Sequence, residues 1–144
     1  SVLAIDISKE ALAVAKKNAT IQEVTVQYKQ VDFLDKNIWS SLGKFDIIIS
    51  NPPYIPLSEK EKMDKNVRDY EPELALFTPN EEPLLFYKHI AMFAASNLNK
   101  GGAVYCETHK DFAQASLSVF EEMNFRHLQL KKDLIGHDRM IKAS

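Results

Sequence analysis

The chain has 144 residues and only four glycines, Gly43, Gly101, Gly102 and Gly136. None falls in a G-x-G-x-x-G or G-x-x-x-x-G-K-[ST] pattern, so no glycine-rich turn of this chain cradles a phosphate or nucleotide. There is one cysteine, Cys106, which excludes an internal disulfide framework and a multi-cysteine zinc site. No apolar run approaches the ~20 residues of a membrane helix, and no basic stretch followed by an apolar one opens the chain as a signal peptide. Charge of one sign is also lacking. The net charge is −2 and the isoelectric point is near 6.1, so no global attraction to nucleic acid or anionic lipid is expected. What is present is ordinary: 45% hydrophobic and 26% charged residues, the balance of a globular chain with room for one core.

Strand and helix signals alternate. Val2 to Ile7 reads as a buried strand ending in Asp6. Ser8 suits the N-cap of a helix to about Ala19, with Leu12, Ala15 and Ala19 on one face. Glu23 to Gln30 alternates as a second strand. Phe45 to Ser50 is β-branched and apolar enough to be central, and stops at two prolines that cannot donate to a ladder. Ser58 and Glu61 form a capping box for a helix over 59–65. Val67 to Pro79 reads as a loop long enough to be functional. Pro83 suits the first turn of a helix to about Leu98, ended by Asn99-Lys100-Gly101-Gly102. Ala103 to Glu107 is a strand and Asp111 to Met123 a helix with Asn124 as its stop. Phe125 to Lys131 and Arg139 to Lys142 close the chain as strands around Gly136. This order predicts a mostly parallel sheet with helices on both faces.

In such sheets ligands bind beyond the carboxyl ends of the strands. That rule selects Asp6, Asp32-Phe33 and Asn51 to Tyr54, along one edge. Asp6 offers two acceptor oxygens to a cis-diol, or caps the following helix. Asp32 can accept from an exocyclic amine with Phe33 packed on a purine face, or the pair is a polar loop beside a core ring.

Asn51-Pro52-Pro53-Tyr54 is the informative stretch. A specified tetrapeptide arises by chance in roughly one in a few thousand chains of this size. An amide or aromatic amine nitrogen is a poor nucleophile because its lone pair is delocalised. Holding its two N–H bonds on acceptors turns the lone pair toward an electrophile. The Asn51 side-chain oxygen and the Pro52 carbonyl supply two acceptors. Pro53 denies that peptide a donor, and Tyr54 packs on the flat face of the target.

The run from Phe45 to Pro56 resembles the signature of class I methyltransferases that use S-adenosylmethionine on planar nitrogens. Asp6-Ile-Ser-Lys-Glu-Ala-Leu with Asn18-Ala19, Val67 to Leu76, and Asp133-Leu-Ile-Gly-His-Asp-Arg139 are similar to further segments of the HemK/PrmC family. That family methylates the glutamine amide in the Gly-Gly-Gln motif of peptide chain release factors. The resemblance implies a Rossmann-like class I methyltransferase sheet, here 1–144 as a partial catalytic domain lacking the first strand and its glycine-rich loop, and so weak or no catalysis by these residues alone. It implies cofactor contacts from Asp6, Asp32, Phe33 and Asn51. Asn51 and Pro52 should hold the substrate amide, Pro53 and Tyr54 complete the pocket, and Arg68 and Glu71 shape its entrance. It implies a cytoplasmic enzyme with a release factor as partner, and no direct nucleic acid, membrane or metal. The chain departs from the family at Thr78 to Pro83 and at Thr108-His109-Lys110.

Other readings remain on the residues. An adenine-amine methyltransferase shares the Asn51 chemistry but should show a basic face. A ribosomal-protein glutamine methyltransferase is close, and a non-catalytic remnant of the fold belongs to another class. Cys106 and His109 have ligand-like spacing without a second pair. His89, His127 and His137 read as surface or partly buried residues, and Trp39 as packing.

Overall fold

Leu3–Asp6 forms β1 and Gln27–Gln30 forms β2, a parallel pair in register from Leu3 opposite Gln27 to Asp6 opposite Gln30. A parallel pair needs a crossover, and α1, Lys9–Ile21, supplies it. Ser8 caps it as the sequence predicts, its hydroxyl accepting from the Ala11 N–H at 3.0 Å. Leu12 is the buried residue of the helix, and the Tyr28 hydroxyl donates to the Ala15 carbonyl at 3.0 Å, tying helix to strand. These elements lie in the first of two units, Ser1–Gly43 and Lys44–Ser144, of a computed structural model that describes residues 1–64, 66 and 71–144.

β2 is shorter than the alternation of Val24, Val26 and Tyr28 predicts. Glu23 adopts φ 53°, and the N–H groups of Glu23 and Val24 donate to Thr20 and Ala19 carbonyls. The chain spends Glu23–Val26 leaving the helix, so only Gln27 onward pairs. Beyond β2, Asp35 caps a 3-10 turn over Lys36–Ser41 that buries Trp39.

The second unit holds a four-stranded sheet in the order β3-β6-β8-β7. Its strands are β3 (Phe45–Ser50), β6 (Leu98–Glu107), β7 (Leu128–Lys132) and β8 (Asp138–Ala143). β3 and β6 are parallel, while β8 runs antiparallel to both β6 and β7. The 13-residue helix Leu85–Asn97 crosses from β3 to β6, and Ala113–Glu122 precedes β7. Val104 pairs with Ala143 and Cys106 with Ile141, which puts all four buried residues on one face. That face and the buried Tyr87, Ile90, Phe93, Val119 and Phe120 of the two helices make the core. Fully burying a residue such as Phe120 contributes ~1.5–3 kcal/mol. β3, apolar enough for a central position, stands at the end of this order with Ile47 58% and Ile49 78% exposed.

Between β3 and the first long helix of this unit lies a small tier. β4 (Ile55–Pro56) pairs in parallel with β5 (Phe77–Thr78), enclosing a 3-10 helix over Leu57–Lys62 and a single helical turn, α2 (Glu73–Leu76). With that turn counted, Leu85–Asn97 is α3 and Ala113–Glu122 is α4. The predicted capping box is not used. Pro56 occupies the N-cap place with no side-chain bond, and the Ser58 N–H instead donates to Asn80 Oδ1 at 2.8 Å. A Lys60–Glu73 ion pair adds a second tie across the tier. Part of the predicted 67–79 loop is therefore helix and strand.

The remaining boundaries differ by local reasons. α3 begins at Leu85, after Pro83. β6 starts at Leu98, with Gly101 at φ 81° and a register shift opposite Phe45–Ile47, so the Gly-Gly pair lies within the strand. Asn124 at φ 69° ends α4 as predicted, and Gly136 at φ 91° turns the closing hairpin. No helix among the described residues is long and apolar enough to cross a membrane.

Candidate active site

At the edge of the first unit, Asp6 is the last residue of β1 and pairs with Gln30, the last of β2. The Val31 N–H continues the ladder to the Asp6 carbonyl at 3.0 Å. Asp32 therefore stands just beyond the same carboxyl edge as Asp6. Both carboxylates are exposed. Asp6 Oδ1 accepts from the Ser8 N–H at 2.7 Å and Asp32 Oδ1 from the Leu34 N–H at 2.9 Å. Each is thus oriented through one oxygen by its own turn. The second oxygen has no bond to the described residues. Asp6 both braces the entry to α1 and keeps an acceptor for a ligand. The half-buried Phe33 ring stacks on Trp39 with centroids 5.6 Å apart, and Trp39 Nε1 donates to the Phe33 carbonyl at 2.9 Å. Trp39 is a packing residue, as its sequence context predicts, and the ring it packs is the one expected beside a purine.

At the edge of the second unit, Ser50 pairs with Cys106. The next residues, Asn51 and Glu107, come side by side where β3 and β6 end. Asn51 is exposed, and its amide makes no hydrogen bond with the described residues. Pro52 is buried and Pro53 half-buried, fixing the backbone beneath a free acceptor. Tyr54 is half-buried. Its hydroxyl donates to Glu107 Oε1 at 2.7 Å. Burial first, and then this carboxylate, push its phenol up to about 12, so Tyr54 is a neutral ring with its polar end anchored.

His109, two residues beyond β6, meets the Tyr54 ring at 6.1 Å between centroids. Its Nδ1 accepts from the Asp111 N–H at 3.2 Å, its Nε2 lies 3.7 Å from Glu59 Oε2, and its ring packs 5.4 Å from Phe112. The Tyr87 hydroxyl donates to the Glu107 carbonyl at 3.0 Å, and Arg139 Nη1 reaches the Thr108 carbonyl at 3.4 Å. Cys106 faces the core opposite Ile141. Among the described residues no three His, Cys, Asp or Glu side chains are placed to hold a metal ion.

Of the predicted residues, the first unit unites Asp6, Asp32 and Phe33, and the second unites Asn51, Pro52, Pro53 and Tyr54. Glu71 is exposed, and Arg68 lies outside the described residues. Sequence reasoning passed over Glu107, and singled out His109 only for its spacing from Cys106, with no link to Tyr54. Glu107 carried a usable signal, an acid closing an apolar strand, the pattern that singled out Asp6.

The family described as "Methyltransferase domain" matches residues 1–137. The chain is 44% identical over its whole length to a release factor glutamine methyltransferase of Flavobacterium psychrophilum, covering 50% of that protein. It is 40% identical to the protein of the same name from Bacteroides thetaiotaomicron, with 96% of the chain and 50% of that protein covered. The chain thus spans about half the length of these curated relatives. Among solved structures, ribosomal protein L11 methylase from Lactobacillus delbrueckii subsp. bulgaricus superposes with a TM-score of 0.63 at 22% identity, over 100% of this chain and 57% of that one. A methyltransferase from Pyrococcus furiosus gives 0.63 at 17% identity, over 99% and 61%. At these identities the two superpositions speak for the fold alone.

Proposed function

Because the chain belongs to the methyltransferase-domain family, we propose that it carries out methylation of a protein glutamine side chain, with S-adenosylmethionine as donor and a peptide chain release factor as substrate. The observation that carries this reading is the strand end itself. Asn51 is exposed and unengaged above a buried proline, with a neutral tyrosine anchored beside it. That set suits a planar, uncharged amide and offers it the Asn51 side-chain oxygen and the Pro52 carbonyl as acceptors. The names of the relatives support glutamine as that amide.

The donor set also fits the cofactor. Asp6 and Asp32 each keep one oxygen for a ligand at the same strand edge, an arrangement suited to a ribose diol and an exocyclic amine. Phe33, backed by Trp39, offers an apolar ring. S-adenosylmethionine, when bound, supplies an electrophilic methyl on a sulfonium sulfur. Asp6 would hold the ribose, Asp32 and Phe33 would flank the adenine, and Asn51 would touch both cofactor and substrate.

The Asn51 side-chain oxygen and the Pro52 carbonyl accept the two N–H bonds of the glutamine amide, which turns its lone pair out of conjugation. Tyr54 walls the flat face, and Glu71 shapes the entrance, the role that the family resemblance also implies for Arg68. Held this way, the amide nitrogen would accept the methyl that S-adenosylmethionine supplies, the sulfonium would leave as the neutral thioether, and the nitrogen would lose one proton to water. No strong base is needed, because the proton leaves after the bond has formed. The residues contribute orientation and electrostatics.

Asn51→Ala in the full-length protein tests this. Methyl transfer to a Gly-Gly-Gln release factor should fall by at least about a hundredfold, with cofactor affinity retained within a few fold. Unchanged turnover would sink the mechanism.

A further inference from the structure

Tyr54 is held by residues that the reading above leaves without a role, Glu107 and His109, with Arg139 also acting on its hydroxyl. A tyrosine on an irregular segment after a strand has two free side-chain torsions and no reason to hold one angle. Here its hydroxyl is bonded to Glu107 Oε1 at 2.7 Å and its ring rests against His109 at 55° between planes. His109 is only 9% exposed and is itself fixed on several sides. Acceptance of the Asp111 N–H at Nδ1 makes Nε2 the protonated nitrogen of the neutral ring. Nε2 faces Glu59 Oε2 at 3.7 Å, and Phe112 packs on the ring. Glu59 belongs to the 3-10 helix that follows the Asn51–Tyr54 segment. His109 therefore joins the far side of the Tyr54 segment to the end of β6, while the Tyr87 hydroxyl pins the backbone of Glu107.

We propose that Glu107 and His109 are positioning residues for Tyr54, a brace that presets the wall of the substrate pocket and so governs affinity for the substrate amide. The inference rests on the reading of Tyr54 as that wall. A ring already ordered loses little freedom when the amide docks against it. The brace acts on binding, and the methyl-transfer step is left to Asn51 and Pro52.

The test uses the full-length protein and a release factor. Glu107→Ala and Tyr54→Phe should each raise KM about five- to tenfold, the scale of one lost hydrogen bond, with kcat held within about twofold. Glu107→Gln keeps an acceptor for the phenol and should recover most of the loss. The double variant Glu107→Ala/Tyr54→Phe should be no worse than Tyr54→Phe alone, since phenylalanine has already lost the bond to Glu107. His109→Asn keeps an oxygen for the Asp111 N–H, so its melting temperature should match the wild type while its KM rises with that of His109→Ala. Additive effects in the double variant, or full restoration of KM by His109→Asn, would overturn the brace.

A second readout needs no activity. In protein labelled with carbon-13 at tyrosine, the ring signals of Tyr54, assigned with Tyr54→Phe, should shift in both Glu107→Ala and His109→Asn. Wild-type protein that transfers no methyl to a release factor would remove the substrate reading. The Tyr54 signals would then decide the brace by themselves, and unshifted signals would refute it.

Discussion

Among the four glycines, the tightest steric demand falls on one residue of β6. A Cβ at Gly102 would meet the Asp46 carbonyl oxygen at 2.6 Å and Leu98 Cγ at 2.9 Å. The neighbouring Asp46 carboxylate is bonded to Asn99 Nδ2 at 2.8 Å, so the two strands are drawn together where only a glycine fits. Gly102→Ala should destabilise the protein by ~1–3 kcal/mol, read as a lower urea midpoint; an unchanged midpoint would contradict the packing. Gly101 next to it has open space but a φ of 81°, a different constraint. In the sequence the pair reads only as a helix stop, since the approach of β3 is not a local property. The site residues divide along the same line. Asp6, Asn51 and Tyr54 are legible because each follows an apolar strand within a few positions. Glu107 obeys the same rule and could have been read. His109 could not, because Glu59, on its imidazole, lies 50 positions earlier in the chain and arrives only through the β4 tier.

At the scale of elements, β6 and α3 bury groups that ordinarily ionise in alkali. Burial pushes the Cys106 thiol from 9.0 up to about 12 and holds the Tyr87 phenol far above its usual 10.0. Tyr54 is raised to about 12 by burial and by Glu107. All three stay protonated in the fold, whereas the unfolded chain releases these protons near 9.0 and 10.0. Their contribution to stability is fully present below ~9 and is lost as pH rises toward ~12. The urea midpoint should be flat from neutral pH to about 8.5 and fall steeply above it. Cys106→Ala should remove the earliest part of that fall. A wild-type midpoint that stays level to ~11 would contradict the burial. The elements themselves were legible where a terminal signal is local. Ser8 starts α1, Asn124 ends α4, and Gly136 turns the hairpin. β4 and β5 have two residues each and exist through their pairing and the Ser58–Asn80 bond, so no periodicity reveals them. The capping box at Ser58 failed for the same reason, since a distant side chain claimed its N–H first.

At the scale of the whole molecule, two units each end their strands in polar residues. The first offers carboxylates and a backed aromatic ring, the second an unengaged amide and an anchored tyrosine. The alternation of strands and helices made the α/β class legible from the sequence. The order β3-β6-β8-β7 was not, because it depends on pairings between residues far apart in the chain. The central claim is that this strand end delivers a methyl group to a glutamine side-chain nitrogen. The most direct test is to incubate the full-length protein with S-adenosylmethionine and a release factor, digest the product, and locate the added methyl by tandem mass spectrometry. The account predicts a methyl on the side-chain nitrogen of the Gly-Gly-Gln glutamine, absent with Asn51→Ala. A release factor left unmodified, with the methyl found instead on adenine of added DNA or RNA, would contradict it.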